Sequence, residues 1–324
     1  MKVKIIDLFA GIGGMRLGTE MAAKEIGLET ETVFSCEHDE KARQTYRDNF
    51  GTDEEIYGDI KELKTDDIAR TVKSHDLLLA GFPCPAFSLA GLVSRNSLNR
   101  KHGFADRKGN LFPDIVRILR IKKPKSFLLE NVPYIRSHNE GRTFKKILKE
   151  LESVGYYVPT PEVLSSSDFG LPQKRRRIYI VGFRKFTLFN YPRALNKKND
   201  VASILEKNID PKYFISKKLW TSHKARKERN KKREVGFGYG LVTPESSHTR
   251  TLSRRYYKDG SEILLKVNGS KTPRKLTPRE CARLQGFPNS FQIPVSDNEA
   301  YKQFGNSVSV PVVKEIALEI LQRI

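Results

Sequence analysis

The chain has 324 residues, 38% hydrophobic and 30% charged, which is typical of a folded protein with one large domain and a smaller one. Its three cysteines, at positions 36, 84 and 281, fit no disulfide framework and no metal-ligand spacing, so we expect a reducing cytoplasm and no metal site. No stretch resembles a signal peptide or a membrane span. The formal net charge is +21, and residues 188–275 carry 22 Lys/Arg against 8 Asp/Glu, which indicates a polyanionic partner such as nucleic acid.

The first part of the chain alternates predicted strands and helices. We expect strands at 3–8 and 32–36 and helices at 15–24 and 39–50. The glycine-rich turn after the first strand has the spacing Gly11-x-Gly13-Gly14, which matches neither a dinucleotide fingerprint nor a P-loop, so a cofactor such as S-adenosylmethionine is favoured. Glu37 ends the second strand, where a ribose-hydroxyl ligand belongs, and Asp59 could accept from an adenine amino group. A helix N-terminal acid and a turn aspartate are the alternatives.

The stretch LLLAGFPCPAFSLAG, at 77–91, contains the candidate nucleophile. Residues 77–80 form a predicted buried strand, and Cys84 follows between two prolines that stiffen the turn. An isolated cysteine is more often a small buried hydrophobe, but two flanking prolines favour a nucleophile at the carboxyl end of a strand. Residues 86–109 are rich in Gly, Ser, Asn and basic side chains, and we expect a long loop that closes over a substrate.

Further alternation follows the loop. The expected elements are a helix at 111–122 capped by Asn110, a strand at 126–129, a helix at 142–152, and a last pair of strands, antiparallel, at 156–163 and 177–183. Glu130 comes directly after apolar residues and is poorly explained as a solvated charge. Alternation places Gln173, Arg175 and Arg177 on one face. The pattern predicts an α/β fold with a doubly wound, mostly parallel sheet.

The basic region 188–275 loses helical periodicity. Its densest run, 217–233, has nine basic residues and one acidic, with a solvated face as the alternative to a phosphate-binding surface. Residues 249–265 predict two strands joined at 258–260. Alternation in such a hairpin puts Arg254 and Arg255 on opposite faces, so one of them could read bases, unless the hairpin only supports the recognition loops. Short helices are expected at 279–284 and 312–324.

Six pieces occur in a fixed order: DLFAGIGG, GFPCPAFS, ENV, QKRRR, LTPRECARLQGFP and GNSV. Together they resemble the C5-cytosine DNA methyltransferases, especially the compact bacterial enzymes of restriction–modification systems, over residues 3–187 and 272–324. The resemblance implies an S-adenosylmethionine-dependent methyltransferase fold with a catalytic and cofactor-binding domain at 1–187, completed by 305–324. It also implies a smaller mixed or β target recognition domain at 188–275 and a hinge at 276–304.

The resemblance also implies roles for single residues. Cys84 matches the nucleophile that adds to C6 of cytosine, Glu130 the acid at ring N3, and Arg177 the contact to O2, while Arg175 would anchor the loop or a phosphate. The positions that match cofactor contacts are Phe9, Gly11, Ile12, Glu37, His38, Asp59, Ile60, Leu111 and Asn306. Two departures stand out: His38 replaces a larger aromatic residue, and Pro85 replaces the usual Gln or Asn after the nucleophile.

The implied substrate is double-stranded DNA, from which the target cytosine is flipped out. Expected DNA contacts are Ser88, Arg175, Lys217, Lys218, Arg254 and Arg255. A cognate restriction endonuclease would be a functional partner without physical contact, and the protein would act as a monomer in the bacterial cytoplasm, on the nucleoid.

Three other functions remain open at this point. Methylation of an exocyclic amine uses an Asn/Asp-Pro-Pro-aromatic tetrad, which Asn131-Val132-Pro133-Tyr134 approaches but without the first proline. The RNA-methylating branch of the same family is a second alternative. A non-catalytic DNA-binding regulator is a third, but such a protein should have lost the cysteine, the acid or the arginine, and this chain keeps all three.

Overall fold

A central sheet organises the computed structural model, which describes residues 2–51, 56–82, 111–195, 197, 199–234, 236 and 238–324. Its six strands are β1 (Lys2–Leu8), β2 (Glu29–Cys36), β3 (Leu77–Gly81), β4 (Ser126–Asn131), β5 (Glu162–Ser165) and β6 (Arg176–Phe183), in the order β2-β1-β3-β4-β6-β5. Strands β1 to β4 are parallel, and β6 runs antiparallel to β4 and β5. The predicted mostly parallel sheet with an antiparallel last pair is confirmed.

Helices pack on both faces of this sheet, and other helices lie in the basic region and the C-terminal part. The helices of the described residues are α1 (Gly14–Glu25), α2 (Glu40–Phe50), α3 (Thr65–Thr71), α4 (Phe112–Lys122), α5 (Arg142–Ser153), α6 (Lys217–Lys232), α7 (Pro278–Leu284), α8 (Asp297–Asn306) and α9 (Val310–Leu321). Asp39 caps α2 by accepting from the N–H groups of Lys41 and Ala42. The cap predicted at Asn110 lies outside the described residues. Among the described residues, no helix combines the length and the apolar character needed to cross a bilayer.

Alternation along β1 explains the two-sided core. Ile6 and Leu8 pack into the core on one face, and Val3 and Ile5 pack into a second core on the other. Helix α9 lies against α1 in this second core, as predicted for the C-terminal helix. Gly18 permits the approach, since a Cβ there would lie 2.8 Å from a methyl carbon of Val313. Burial of both faces is what a doubly wound sheet requires.

The basic region has a different construction from the expected one. Its strands are β7 (Leu241–Val242) and β8 (Leu264–Leu265), which pair in parallel. The hairpin predicted at 249–265 is wrong, because Arg254–Tyr257 forms a 3-10 helix begun by Ser253, whose hydroxyl accepts from the Arg255 N–H. The densest basic run forms helix α6. Hydrophobic periodicity does not predict this helix, because its one fully buried side chain is the polar residue His223 and it has no buried apolar stripe.

The C-terminal part returns the chain to the central sheet. Helix α7 begins with a capping box in which Thr277 and Glu280 bond each other's backbone N–H groups, close to the predicted helix at 279–284. Helix α8 was not predicted, and Asn306 is its last residue. The third hydrophobic core joins this part to the basic region through side chains such as Leu252, Tyr256 and Phe304.

Candidate active site

The turn between β1 and α1 forms an open backbone surface. Phe9, Gly11 and Gly13 all have positive φ values, of 57°, 54° and 82°. A Cβ on Gly13 would lie 2.2 Å from the Phe50 ring, so glycine is required there, whereas a Cβ on Gly11 would meet no described atom within 4 Å. The turn therefore packs tightly underneath and is open above, where a ligand could lie against the backbone.

Glu37 closes one side of this surface. One carboxylate oxygen accepts from the Gly11 N–H at 2.8 Å, and the other accepts from the Asp39 N–H at 2.8 Å. Each oxygen keeps a lone pair, so the carboxylate can still accept from hydroxyl groups of a ribose. The sequence predicted Glu37 as a ribose ligand, but the bond to Gly11, which fixes its orientation, depends on the fold of both strands.

The other predicted cofactor residues lie around the same edge of the sheet. The Glu37 N–H donates to the Tyr57 carbonyl, which brings the segment with Asp59 beside β2. Ile60 is buried in the core against which Phe9 and Leu111 also pack. Ile12 is buried, and His38 and Asn306 are exposed. A Cβ on Gly14 would lie 2.7 Å from the Ser307 hydroxyl, so the residue after Asn306 contacts the start of α1.

These residues fit S-adenosylmethionine by their chemistry. Open space above Gly11 and a carboxylate at the end of β2 suit a nucleoside with a charged amino-acid tail. The half-buried Asp59 adds a second carboxylate, whose Oδ1 accepts from the Lys61 N–H.

A carboxylate–guanidinium pair stands at the carboxyl ends of the central strands. Glu130 pairs with Gly81 in the sheet, and its Oε1 lies 2.9 Å from Nε of Arg177. The two side chains are 11% and 16% exposed. Burial raises the pKa of Glu130, while the charges of Arg177 and Arg175 oppose that rise. A buried acid with a raised pKa can hold or donate a proton to a bound ligand.

Asn131 is a residue whose role the sequence did not show. Its amide nitrogen donates to the Phe82 carbonyl at 3.2 Å, and its oxygen accepts from the Val132 N–H at 2.8 Å. It therefore ties β4 to the end of β3, from which the chain leads to Cys84. Both of its polar atoms bond the backbone, which argues against an amine-binding tetrad at 131–134. Cys84 and Ser88, with the flanking Pro83 and Pro85, lie outside the described residues.

The segment before β6 shows the predicted alternation. Gln173 and Arg175 are buried and Arg177 is partly buried, whereas Lys174 and Arg176 are exposed. The Arg175 guanidinium is buried and bonds backbone carbonyls of Leu252, Gly305 and Ser307. The loop that we expected Arg175 to anchor lies outside the described residues, and the expected contact to a DNA phosphate stays a prediction.

The candidate DNA contacts of the basic region are at the surface. Lys217 and Lys218 are exposed in the first turn of α6. Arg254 and Arg255 are both exposed, although Tyr256 beside them is fully buried. The predicted division of the two arginines between opposite faces of a strand is wrong, because the 3-10 helix presents both to solvent.

Comparisons with known proteins identify the family of this chain. The sequence matches the family model for C-5 cytosine-specific DNA methylase over residues 3–322. The chain is 53% identical over 315 residues to Type II methyltransferase M.NlaX of Neisseria lactamica, covering 97% of this chain and 95% of that protein. It is 51% identical over 330 residues to Type II methyltransferase M1.ScrFI of Lactococcus lactis subsp. cremoris, covering 99% and 79%.

Among solved structures, the chain has the fold of the S. pombe Dnmt2 methyltransferase, with a TM-score of 0.76, 20% identity and 99% of each chain covered. The Entamoeba histolytica methyltransferase EhMeth gives a TM-score of 0.75 at 22% identity, covering 98% of each chain. The chain therefore belongs to the C-5 cytosine-specific DNA methylase family and is an S-adenosylmethionine-dependent enzyme that methylates cytosine in DNA.

Proposed function

We propose that Cys84, Glu130 and Arg177 carry out the methyl transfer on a cytosine flipped out of the duplex. Cytosine C5 is too weak a nucleophile to accept a methyl group unaided. The Cys84 thiolate forms a bond to C6, which breaks the C5–C6 double bond and makes C5 nucleophilic. After C5 takes the methyl group, a water molecule removes the C5 proton, the double bond re-forms, and the sulfur leaves.

The observation that carries this proposal is the 2.9 Å contact between Glu130 and Arg177. A cytosine entering the cleft meets an acid for ring N3 and a cation for O2 already oriented toward each other. Glu130 would hold or protonate N3 as negative charge moves into the ring, and Arg177 would stabilise the charge on O2. The positive charge of Arg177 would also favour the thiolate form of Cys84.

S-adenosylmethionine supplies an electrophilic methyl group on its sulfonium. In this proposal Glu37 binds the ribose, Asp59 the adenine amino group, and the turn at Phe9 and Gly11 the amino-acid tail. Ile12, Ile60 and Leu111 provide the apolar surface, and His38 and Asn306 lie at the rim of the site. The Glu37–Gly11 bond supports this assignment, because it orders the turn and the ribose ligand together.

The basic region 188–275 would bind duplex DNA around the target. Helix α6 carries exposed Lys217 and Lys218, and Arg254 and Arg255 project from the 3-10 helix. Phosphate contacts from such side chains would offset the free energy of unstacking the cytosine, which is about a few kcal/mol. Ser88 would add a contact from the loop that follows the nucleophile.

The relatives named Type II methyltransferases support a role in a restriction–modification system. The methylation would protect the host sites from a cognate endonuclease that needs no physical contact with this protein. We place the enzyme in the bacterial cytoplasm, bound to the nucleoid as a monomer.

The covalent step is tested by Cys84→Ser in an expression host whose DNA is then sequenced after bisulfite conversion. We expect methylation to disappear while duplex binding by electrophoretic mobility shift is kept, because the hydroxyl is far less nucleophilic than a thiolate. Cys281→Ala is the control, since Cys281 is buried away from the cleft. Methylation by the Cys84→Ser enzyme at a rate near that of the wild type would rule out the covalent mechanism.

A further inference from the structure

Arg175 makes contacts that the reaction itself does not require. Its Nη1 donates to the Leu252 carbonyl at 2.8 Å, and its Nη2 donates to the Ser307 carbonyl at 2.6 Å and to the Gly305 carbonyl at 3.2 Å. The side chain is 2% exposed. One guanidinium therefore joins the strand that presents Arg177 to two distant segments of the chain.

These carbonyls flank residues of both proposed binding sites. Gly305 and Ser307 lie on either side of Asn306 at the end of α8, so Arg175 fixes the peptide units that hold Asn306. Leu252 comes two residues before Arg254. The two segments also touch, because a Cβ on Gly305 would lie 2.3 Å from the Ser253 carbonyl oxygen.

Gln173 forms a second side-chain hydrogen bond with the backbone of Leu252. Its side-chain oxygen accepts from the Leu252 N–H at 2.8 Å, while Arg175 binds the Leu252 carbonyl. The Gln173 amide also donates to the Leu284 carbonyl at 3.1 Å. Two side chains on one face of the same segment thus bind both polar groups of a single peptide residue, which leaves Leu252 little freedom to move.

Burying the charged guanidinium of Arg175 costs free energy of desolvation, which suggests that the group has a specific role. Burial, together with the nearby charge of Arg177, lowers the pKa of Arg175 to about 9. The buried Nε has no hydrogen-bond partner among the described residues. A buried cation bound by carbonyls often contributes no more to stability than an apolar side chain of the same size, and in some proteins such groups fix the geometry of the segments that they join.

We propose that Arg175 is a positioning residue that sets Asn306 against the cofactor and holds the Leu252–Arg254 segment in register with the catalytic pair. The proposal rests on the assignment of Asn306 to the cofactor site made above. Binding of S-adenosylmethionine and placement of the DNA-contacting segment then depend on the same side chain. Arg175 touches neither ligand in this arrangement.

Calorimetric titration with S-adenosylmethionine tests the first half. Arg175→Met removes the three hydrogen bonds, and we expect cofactor affinity to fall about tenfold or more, since hydrogen bonds from a charged group are lost. Arg175→Lys keeps the charge but not the planar fork, so it should give an intermediate loss and carries the test if Arg175→Met does not fold. Arg176→Met is the control, because its side chain is exposed on the opposite face, and it should change affinity by less than about twofold.

A double-mutant cycle with Asn306→Ala separates positioning from general damage. If Arg175 acts through Asn306, Arg175→Met should weaken cofactor binding strongly in the wild type and hardly at all in the Asn306→Ala background. Losses that simply add would overturn the proposal, as would unchanged affinity in the Arg175 variants. An Asn306→Ala enzyme with normal affinity would remove both the positioning role and the assignment of Asn306, while the Cys84→Ser experiment still judges the covalent mechanism separately.

Discussion

The cofactor-binding sheet and the basic region 188–275 order their backbones in different ways. In the sheet, strands of up to eight residues bond to each other, and the functional groups stand where the strands end. In the basic region the strands β7 and β8 have two residues each. Side chains there form hydrogen bonds with backbone N–H and carbonyl groups that a longer strand would pair. The Tyr256 hydroxyl, for example, donates to the Ile263 carbonyl and accepts from the Leu276 N–H.

The difference shows what a sequence can predict. Periodicity located the strand at 77–80 and the strand that carries the acid Glu130 near its end, because local alternation and burial decide both. It failed at Arg254–Tyr257, where the strand-like residues YY form a 3-10 helix that Tyr256 anchors through contacts seven and twenty residues away. It also missed α6, whose Lys and Arg residues have good helix propensity but whose sequence lacks an apolar stripe.

In the candidate site, too, the sequence indicates some features and not others. Glu37, Glu130 and Arg177 could be predicted because their positions follow strands or motifs. The bond from Gly11 to Glu37 and the three-carbonyl contact of Arg175 could not, since they join segments that are 26 to 132 residues apart. Residue type and spacing therefore indicate the candidate functional groups, whereas the hydrogen bonds that orient them depend on segments far apart in the chain.

The largest effect should come from Glu130 and Arg177, the pair that we propose to be catalytic. Glu130→Gln and Arg177→Ala should each lower turnover by about 10²- to 10⁴-fold, because each removes stabilisation of the attacked ring. Cofactor affinity should stay nearly unchanged, since neither side chain belongs to the turn at Phe9 and Gly11. Incorporation of labelled methyl groups gives turnover, and calorimetry gives affinity.

Arg176→Met again serves as the control, because it removes an exposed charge beside Arg177 without touching the pair. Lost cofactor binding with normal chemistry in the remaining complex would assign Glu130 or Arg177 to the cofactor site instead.

A smaller effect is expected from the basic region, whose contribution is spread over many charges. We expect the triple substitution Lys217→Gln, Lys218→Gln and Arg229→Gln to weaken DNA binding and to reduce the slope of log affinity against log salt by about 2 to 3. All three side chains are exposed on α6. Fluorescence anisotropy with a labelled duplex at several salt concentrations measures the slope.

Neutralising Lys145, Lys146 and Lys149 of α5 changes the net charge equally and is the matched control, because these exposed lysines lie on a helix that packs on the central sheet. Equal slopes for the α6 variant and the wild type would mean that α6 is only a solvated face and that the phosphates are bound elsewhere.

The smallest effect on methylation is expected from a substitution of the buried acid Asp7, which should instead change the stability of the fold. A second buried acid, Glu280, provides the comparison. In the C-terminal part, Glu280 is completely buried and makes a bidentate ion pair with Arg274, with both distances 2.7 Å. In the sheet, Asp7 is 1% exposed, and neither of its oxygens has a hydrogen-bond partner of good geometry among the described residues. Burial raises the pKa of Asp7 from 3.8 to about 8, although Arg16 opposes this rise.

The Asp7 carboxyl is therefore protonated in the folded protein at neutral pH and ionised in the unfolded chain. A raised pKa in the folded state means that folding takes up a proton between about pH 4 and pH 8. Stability should fall as the pH rises through this window, by up to about 1.4 kcal/mol for each unit. Asp7→Asn cannot ionise, so thermal unfolding from pH 5 to pH 8 should show a smaller decline in Tm than in the wild type. Asp48→Asn, at an exposed position of α2, removes the same charge and should leave the wild-type slope intact. Parallel Tm profiles for Asp7→Asn and the wild type would show that the Asp7 carboxyl ionises normally within the fold, and that a solvent molecule or a protein group satisfies it there.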